Sequence, residues 1–317
     1  MAQYPATPEF AAWRRYVQGY AELFLGETGV ALPAAPVVSP SGTPPRVVLC
    51  SPHPDDELLT GLLPLRLKEE AGAVVTNIAV TLGSNPARRS ERLAELRRAC
   101  AVVGFGVRLA EEPEGFSHVS AVARGLDPAG WQGRVEALAA LLAEMRPDLL
   151  LFAHAGDNHP THIGTHFLAL AAALKYSRES GATMLVAETG YWQPQPAPNL
   201  LIGATVEQVA LLVTALAEHR GEMARHPYHR GLPPRMLETV RRCGEVVQGY
   251  GTAPPGLVFG EAYRLAGIRQ GVWQPGCGTL AMASAESLTL ERLAAAVAPP
   301  SPRCRGQRVF WTGPVPG

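Results

Sequence analysis

VVLCSPHPDDE, residues 47–57, runs from an apolar strand into a loop that crowds one imidazole and three carboxylates between and behind two prolines. Val47, Val48, Leu49 and Cys50 have the apolar, β-rich character of a buried strand. In parallel α/β sheets, ligands bind beyond the carboxyl ends of the strands, where a loop passes into the next helix. The stretch sits where such a fold builds its sites. One account is purely structural: Asp55 caps a helix, while Asp56 and Glu57 occupy its first turn, where the helix dipole favours acidic groups. That account leaves His53 without a purpose. A divalent cation explains more, because it offsets the repulsion between adjacent carboxylates and uses the imidazole as well. Neighbouring residues at a helix start point in different directions, so one aspartate can ligate while the other moves a proton.

Outward from this stretch, short apolar runs alternate with longer helical patterns. Strands are expected over 74–82, 149–153 and 184–188. A helix over 132–145 carries Val135, Leu138, Leu141 and Leu142 on one face and stops at Pro147; others are expected over 205–222 and 236–247. The alternation predicts an α/β, Rossmann-like, mostly parallel sheet flanked by helices. Residues 46–265 would form the single catalytic domain. Before them, residues 1–45 hold an amphipathic helix, marked by Phe10, Trp13, Val17, Tyr20 and Phe24, and a Pro-rich linker. That stripe fits a helix docked on the core, or a contact between copies in a homo-oligomer. Residues 266–317 read as a Gly- and Pro-rich wrapping tail with one short helix near 288–297.

A second cluster follows the run at 149–153. HAGDNHPTHIGTH, residues 154–166, places four histidines at another strand-to-helix junction, so the two clusters can converge on one crevice. With Thr161 as N-cap, His162 and His166 lie one turn apart on one helical face, and spacing alone nominates them as a metal pair.

HPDDE followed far downstream by HPTH resembles the PIG-L/LmbE-like zinc N-deacetylases, which remove acetyl groups from N-acetylglucosamine-type sugars. RLAELRRACAVVGFG, residues 92–106, is similar to the family's R-x-x-E-L helix, and EAYRL, residues 261–265, to the close of its catalytic domain. The resemblance implies that His53, Asp56 and His162 ligate Zn2+, with Fe2+ as a substitute, that Asp55 is the general base, and that a protonated His159 stabilises the tetrahedral intermediate. It implies that Arg92 holds sugar hydroxyls. No ligand role is implied for His166, so resemblance and helical spacing disagree there; three ligands already leave one position open for water. Thr161 stands where many relatives carry aspartate, and Asp157 is the candidate to replace that carboxylate. Trp192 and Tyr191, in GYWQPQPAPN at 190–199, offer flat faces that could stack on a sugar or its aglycone, in a loop that could equally be a rigid surface turn. Glu57 is expected only as a helix-start residue, and the histidines of HRGEMARHPYHR at 219–230 receive no role.

Composition sets the outer bounds. Lys plus Arg and Asp plus Glu are each 28 in 317 residues, so nothing favours a nucleic acid as partner; the expected partner is a small N-acetylated sugar or glycoconjugate. Cys50, Cys100, Cys243, Cys277 and Cys304 are scattered with no CxxC pair, which fits a reduced, cytoplasmic protein. No window has the length of a membrane span, and the first ten residues lack the pattern of a secretory signal. Two other functions remain open: a non-haem iron(II) enzyme with a two-histidine, one-carboxylate site, and a non-catalytic sugar-binding relative. The first expects an all-β barrel and no Asp55 beside the metal. The second needs neither Asp55 nor His159.

Overall fold

The structure, a computed structural model, describes residues 4–36, 42–249, 251 and 257–297. Cys304 and the end of the expected tail lie outside the described residues. In chain order the first half comprises α1 (Pro8–Leu25), β1 (Arg46–Ser51), α2 (Asp56–Leu59), α3 (Leu62–Ala71), β2 (Val74–Ala79), α4 (Arg89–Val103), β3 (Gly106–Leu109), α5 (Ala121–Leu126) and α6 (Pro128–Met145). Then come β4 (Leu149–Ala153), α7 (Pro160–Ser180), β5 (Thr183–Thr189), β6 (Leu200–Ala204), α8 (Val206–Leu216), α9 (Arg220–Met223) and α10 (Tyr228–Gln248). The last described elements are β7 (Phe259–Arg269), β8 (Val272–Pro275), β9 (Leu280–Met282) and α11 (Leu290–Val297).

The sheet is the expected one in its centre. Strands β3, β2, β1, β4 and β5 lie side by side in that order, all parallel, with β7, β6 and β9 continuing the sheet beyond β5. Strand β7 is antiparallel to both β5 and β6. Period-two alternation sorts β1 between two cores. Val47 and Leu49 pack with α1, α3, α4 and α8 on one face; Val48 and Cys50 pack with α6 and α7 on the other. Helices thus cover both faces, as a parallel sheet requires.

Helix α1 docks on the core. Pro8 at its first turn and Thr7 as N-cap start it, Phe10, Val17 and Ala21 are buried, and Arg14 pairs with Glu207 on α8. Phe24, at the far end of the stripe, stays exposed.

Three expectations are corrected. The helix expected over 205–222 is broken after Leu216, and the break carries His219 against Glu57. The helix expected from residue 236 begins at Tyr228 and runs through Pro233 and Pro234, which as internal breakers hid its first two turns. The segment after Leu265 is sheet as far as Met282: β7 continues to Arg269, and Gln270 and Gly271, both at positive φ, turn the chain into β8. Two consecutive left-handed residues make the tight hairpin that the sequence reading missed.

Candidate active site

The order of the parallel strands reverses between β1 and β4, whose flanking partners are β2 and β5. Such a reversal opens a crevice at the carboxyl ends of the two strands. HPDDE leaves β1 there, and HAGDNHPTH leaves β4 beside it. A cavity of about 730 Å3 opens over both, lined by His53, Asp55, Asp56, Arg92, His159 and His162 among others.

At its floor three polar atoms from three side chains form a nearly equilateral triangle. His53 Nδ1 lies 3.2 Å from His162 Nε2, and each lies 3.3 Å from Asp56 Oδ2. The His53 backbone N–H donates to the same Asp56 oxygen at 2.9 Å. Metal bonds of about 2.0–2.1 Å in a tetrahedral site put neighbouring ligand atoms roughly 3.4 Å apart, so the triangle fits one face of such a site. His159 stands close by: ligand atoms of His53, His159 and His162 fall within 4.8 Å of one another and could hold a metal ion. Against the upward push of burial, His162 and His53 hold the Asp56 carboxyl well below its usual range. Burial alone would lower His162, but Asp56 and Asp157 raise it to about 9.

Asp157 underlies this triangle. Its Oδ1 accepts the His159 backbone N–H and stands 3.2 Å from His162 Nδ1, without the alignment of a full hydrogen bond. Its Oδ2 accepts backbone N–H groups of Tyr191, Trp192 and Gln193 at 3.3, 3.0 and 3.4 Å. One carboxylate thus ties the second histidine cluster to the loop after β5. Tyr191 is held against the His162 ring, centroids 4.9 Å apart, and accepts from Thr60 Oγ1; Trp192 sits half exposed at the rim.

Asp55 occupies a costly conformation, φ 107° and ψ −30°, and caps nothing with its side chain. A non-glycine residue held there costs on the order of 1–3 kcal/mol and persists only where its surroundings enforce it. The enforcement is visible: Glu57 Oε2 accepts the Asp55 N–H at 2.9 Å, while Glu57 Oε1 meets His219 Nε2 at 2.8 Å, both side chains fully buried. Glu57 is therefore more than a helix-start residue. Burial and the neighbouring Asp56 push the Asp55 carboxyl well above its usual range.

The N-cap of α7 is His159, two residues earlier than the expected Thr161, because Pro160 takes the first helical place. His159 Nδ1 accepts from the Thr161 N–H at 3.3 Å, so the proton of the neutral ring sits on Nε2. Burial, His53 and His162 lower its pKa to about 4. The expected imidazolium is thus replaced by a neutral ring with one N–H to offer. His166 turns away from the triangle: its Nδ1 donates to Ala153 O at 3.0 Å, and its ring packs edge-on against Phe152 and Phe167. Arg92 is mostly buried, threads past Gly83 where a Cβ would collide with it, and donates to Pro54 O at 3.0 Å.

The sequence matches known proteins over this same region. Residues 48–173 match PIG-L, described as GlcNAc-PI de-N-acetylase, and the match takes in both histidine clusters and Arg92. Over that segment the chain is similar to the PIG-L family. It is 30% identical over 208 residues to 1D-myo-inositol 2-acetamido-2-deoxy-alpha-D-glucopyranoside deacetylase 1 of Catenulispora acidiphila, covering 56% of this chain and 64% of that protein. Among solved structures it resembles 4-carboxy-2-hydroxymuconate hydratase of Pseudomonas putida KT2440, with TM-score 0.52, 16% identity, and 70% and 95% of the two chains covered. N,N'-diacetylchitobiose deacetylase of Pyrococcus horikoshii gives TM-score 0.50 and 15% identity, with 69% and 83% covered. A hydratase and a deacetylase that share this fold mean that the reaction must be argued from the side chains. The rim residues Trp192, Glu222, Arg225, Tyr228 and Arg235 lie outside the matched PIG-L segment.

Proposed function

We propose that the protein is a zinc-dependent N-deacetylase that releases acetate from an N-acetylglucosamine-type sugar or glycoconjugate. The observation that carries this reading is the triangle of His53, Asp56 and His162 with a second carboxylate, Asp55, beside it. Those three side chains would hold the ion, with iron(II) as the alternative metal. A bound zinc ion would supply Lewis-acid polarisation of the amide carbonyl and acidify water at neutral pH.

The remaining work falls to the protein's own groups. Asp55 takes a proton from the attacking water and returns it to the leaving amine; its elevated proton affinity, set by burial beside Asp56, suits both halves of that exchange. His159 donates Nε2–H to the oxygen that gains negative charge as the carbonyl carbon becomes tetrahedral. Its cap contact fixes the ring so that this N–H is ready before substrate arrives. Arg92 presents several donors in a fixed plane to the sugar hydroxyls, and Trp192 offers a flat face at the rim.

The α/β sheet speaks against the iron oxygenase alternative, which expected an all-β barrel. A non-catalytic sugar-binding protein would have no use for the strained Asp55. Zinc-loaded protein incubated with a panel of N-acetylglucosaminides should release acetate, and Asp55→Asn should reduce the rate by at least a hundredfold with sugar binding retained. Sugar binding without acetate release from any member would favour the binding protein instead.

A further inference from the structure

The cavity over the site is far more cationic than the chain that builds it. Overall the sequence balances 28 basic against 28 acidic residues. Among the described residues, Arg88, Arg89, Arg92, Arg225 and Arg235 all line this one cavity, against Glu222 and the two aspartates of HPDDE. Two of the five guanidiniums are engaged away from Glu222. Arg89 pairs with Glu114 and donates to Gly83 O, and Arg235 donates to Gly190 O.

The other three converge on a single oxygen. Glu222 Oε2 lies 3.4 Å from Arg225, 3.6 Å from Arg88 and 3.9 Å from Arg92. None of these is a close, two-pronged ion pair of the kind a guanidinium makes with a carboxylate it owns. Arg88 and Arg92 are mostly buried, with side chains 23% and 13% exposed, so water screens their mutual repulsion poorly. One shared carboxylate leaves positive charge in excess at the wall facing the catalytic side chains. Arg88 and Arg225 also line a smaller hollow beside it, together with Ser84, Asn85, Gly221 and one acid, Glu91. Arg92 is anchored on Pro54 beside the HPDDE turn, whereas Arg88 and the more exposed Arg225 are shared between the cavity and the smaller hollow.

We propose that the substrate carries an anionic oxygen group, a phosphate or a carboxylate, which Arg88 and Arg225 hold in competition with Glu222. A planar fork of donors suits such a group, and a wall of three guanidiniums around one acid is stable when a second acid arrives. That the anion is attached to an N-acetylated sugar rests on the deacetylase reading; the anion site itself does not.

Calorimetric binding separates the two. The protein is zinc-loaded and carries Asp55→Asn, so that no probe is consumed. The probes are methyl N-acetylglucosaminide, N-acetylglucosamine 1-phosphate and a carboxymethyl N-acetylglucosaminide. At least one anionic probe should bind tenfold or more tightly than the methyl glycoside, and the tighter of the two names the anion. The preference should fall below threefold in R88A/R225A and rise in E222Q, which removes the competing acid. Arg225 is 57% exposed and its single substitution leaves the core untouched, so R225A alone should cut the preference at least threefold. Equal binding of neutral and anionic probes, or a preference that survives R88A/R225A, would overturn the proposal. A confirmed anion preference without acetate release by the wild type would leave the anion site standing and remove the deacetylase.

Discussion

Glu57 and His219 meet at 2.8 Å in the protein interior although 162 residues separate them in sequence. The pair fixes the carboxylate that accepts the Asp55 N–H, and so supports the strained turn from below. His219→Ala would leave the buried Glu57 Oε1 without its hydrogen-bond partner, a loss of about 1–3 kcal/mol. The expected outcome is a lower denaturant midpoint together with reduced kcat per folded molecule. A stability loss with kcat unchanged would confine the pair to a structural role.

Asp157 is the next residue to test. It touches His162, His159 and the backbone of three residues in the loop after β5. Residues that orient a metal ligand typically change metal affinity by about 10–100-fold when removed. Asp157→Ala should weaken zinc affinity in that range, as measured by chelator competition, and should raise KM through the released loop. Asp157→Asn keeps an acceptor and should sit between it and the wild type.

His166 gives a pH prediction. Burial lowers its pKa to about 4 in the folded protein, against about 6.5 when exposed. Below pH 6.5 the unfolded chain binds a proton that the folded chain refuses until pH 4, so stability is lost as pH falls through that window. The loss at this residue is up to about 3 kcal/mol. Urea melts between pH 4 and 7 should show a steeper acid loss in the wild type than in His166→Gln. Parallel curves would contradict it. Zinc content should be the same in both.

These residues show where the sequence was readable. The parallel centre of the sheet was legible because β1 and β4 are almost wholly apolar runs and β2 and β5 are short, mostly apolar segments between helical patterns, and the site because its two clusters are local, each within thirteen residues or fewer. Residue-by-residue resemblance separated His162 from His166 where helical spacing could not. What escaped reading was contact across long separations. Nothing near Glu57 announces His219, and nothing near Arg88 announces Glu222 or Arg225. Strand β6 is harder to read because LLIGA, a short apolar run, passes directly into the helix that starts after Thr205, and periodicity alone does not separate a short buried strand from a buried helix segment. The protonation of His159 was also misjudged, since its cap contact with the Thr161 N–H is visible only once the helix start is placed at Pro160.

Arg92 makes no pair with Glu91 or Glu95 on its own helix; Glu95 instead accepts the Gly221 N–H, and Arg92 faces the cavity. Arg92→Ala should therefore raise KM for N-acetylglucosaminides about tenfold or more, the loss of one to two hydrogen bonds from a charged group, with zinc content unchanged. Steady-state kinetics with unchanged KM and kcat would assign Arg92 to the protein's own packing.

The central claim is the division of labour between two adjacent aspartates, and metal content measured on purified variants tests it most directly. Asp56 Oδ2 stands 3.3 Å from both imidazole nitrogens of the triangle, whereas Asp55 caps nothing and lines the cavity. Asp56→Ala should carry almost no zinc, while Asp55→Asn should carry one ion per chain and release almost no acetate. Equal zinc loss in the two variants, or full zinc in Asp56→Ala, would contradict the account.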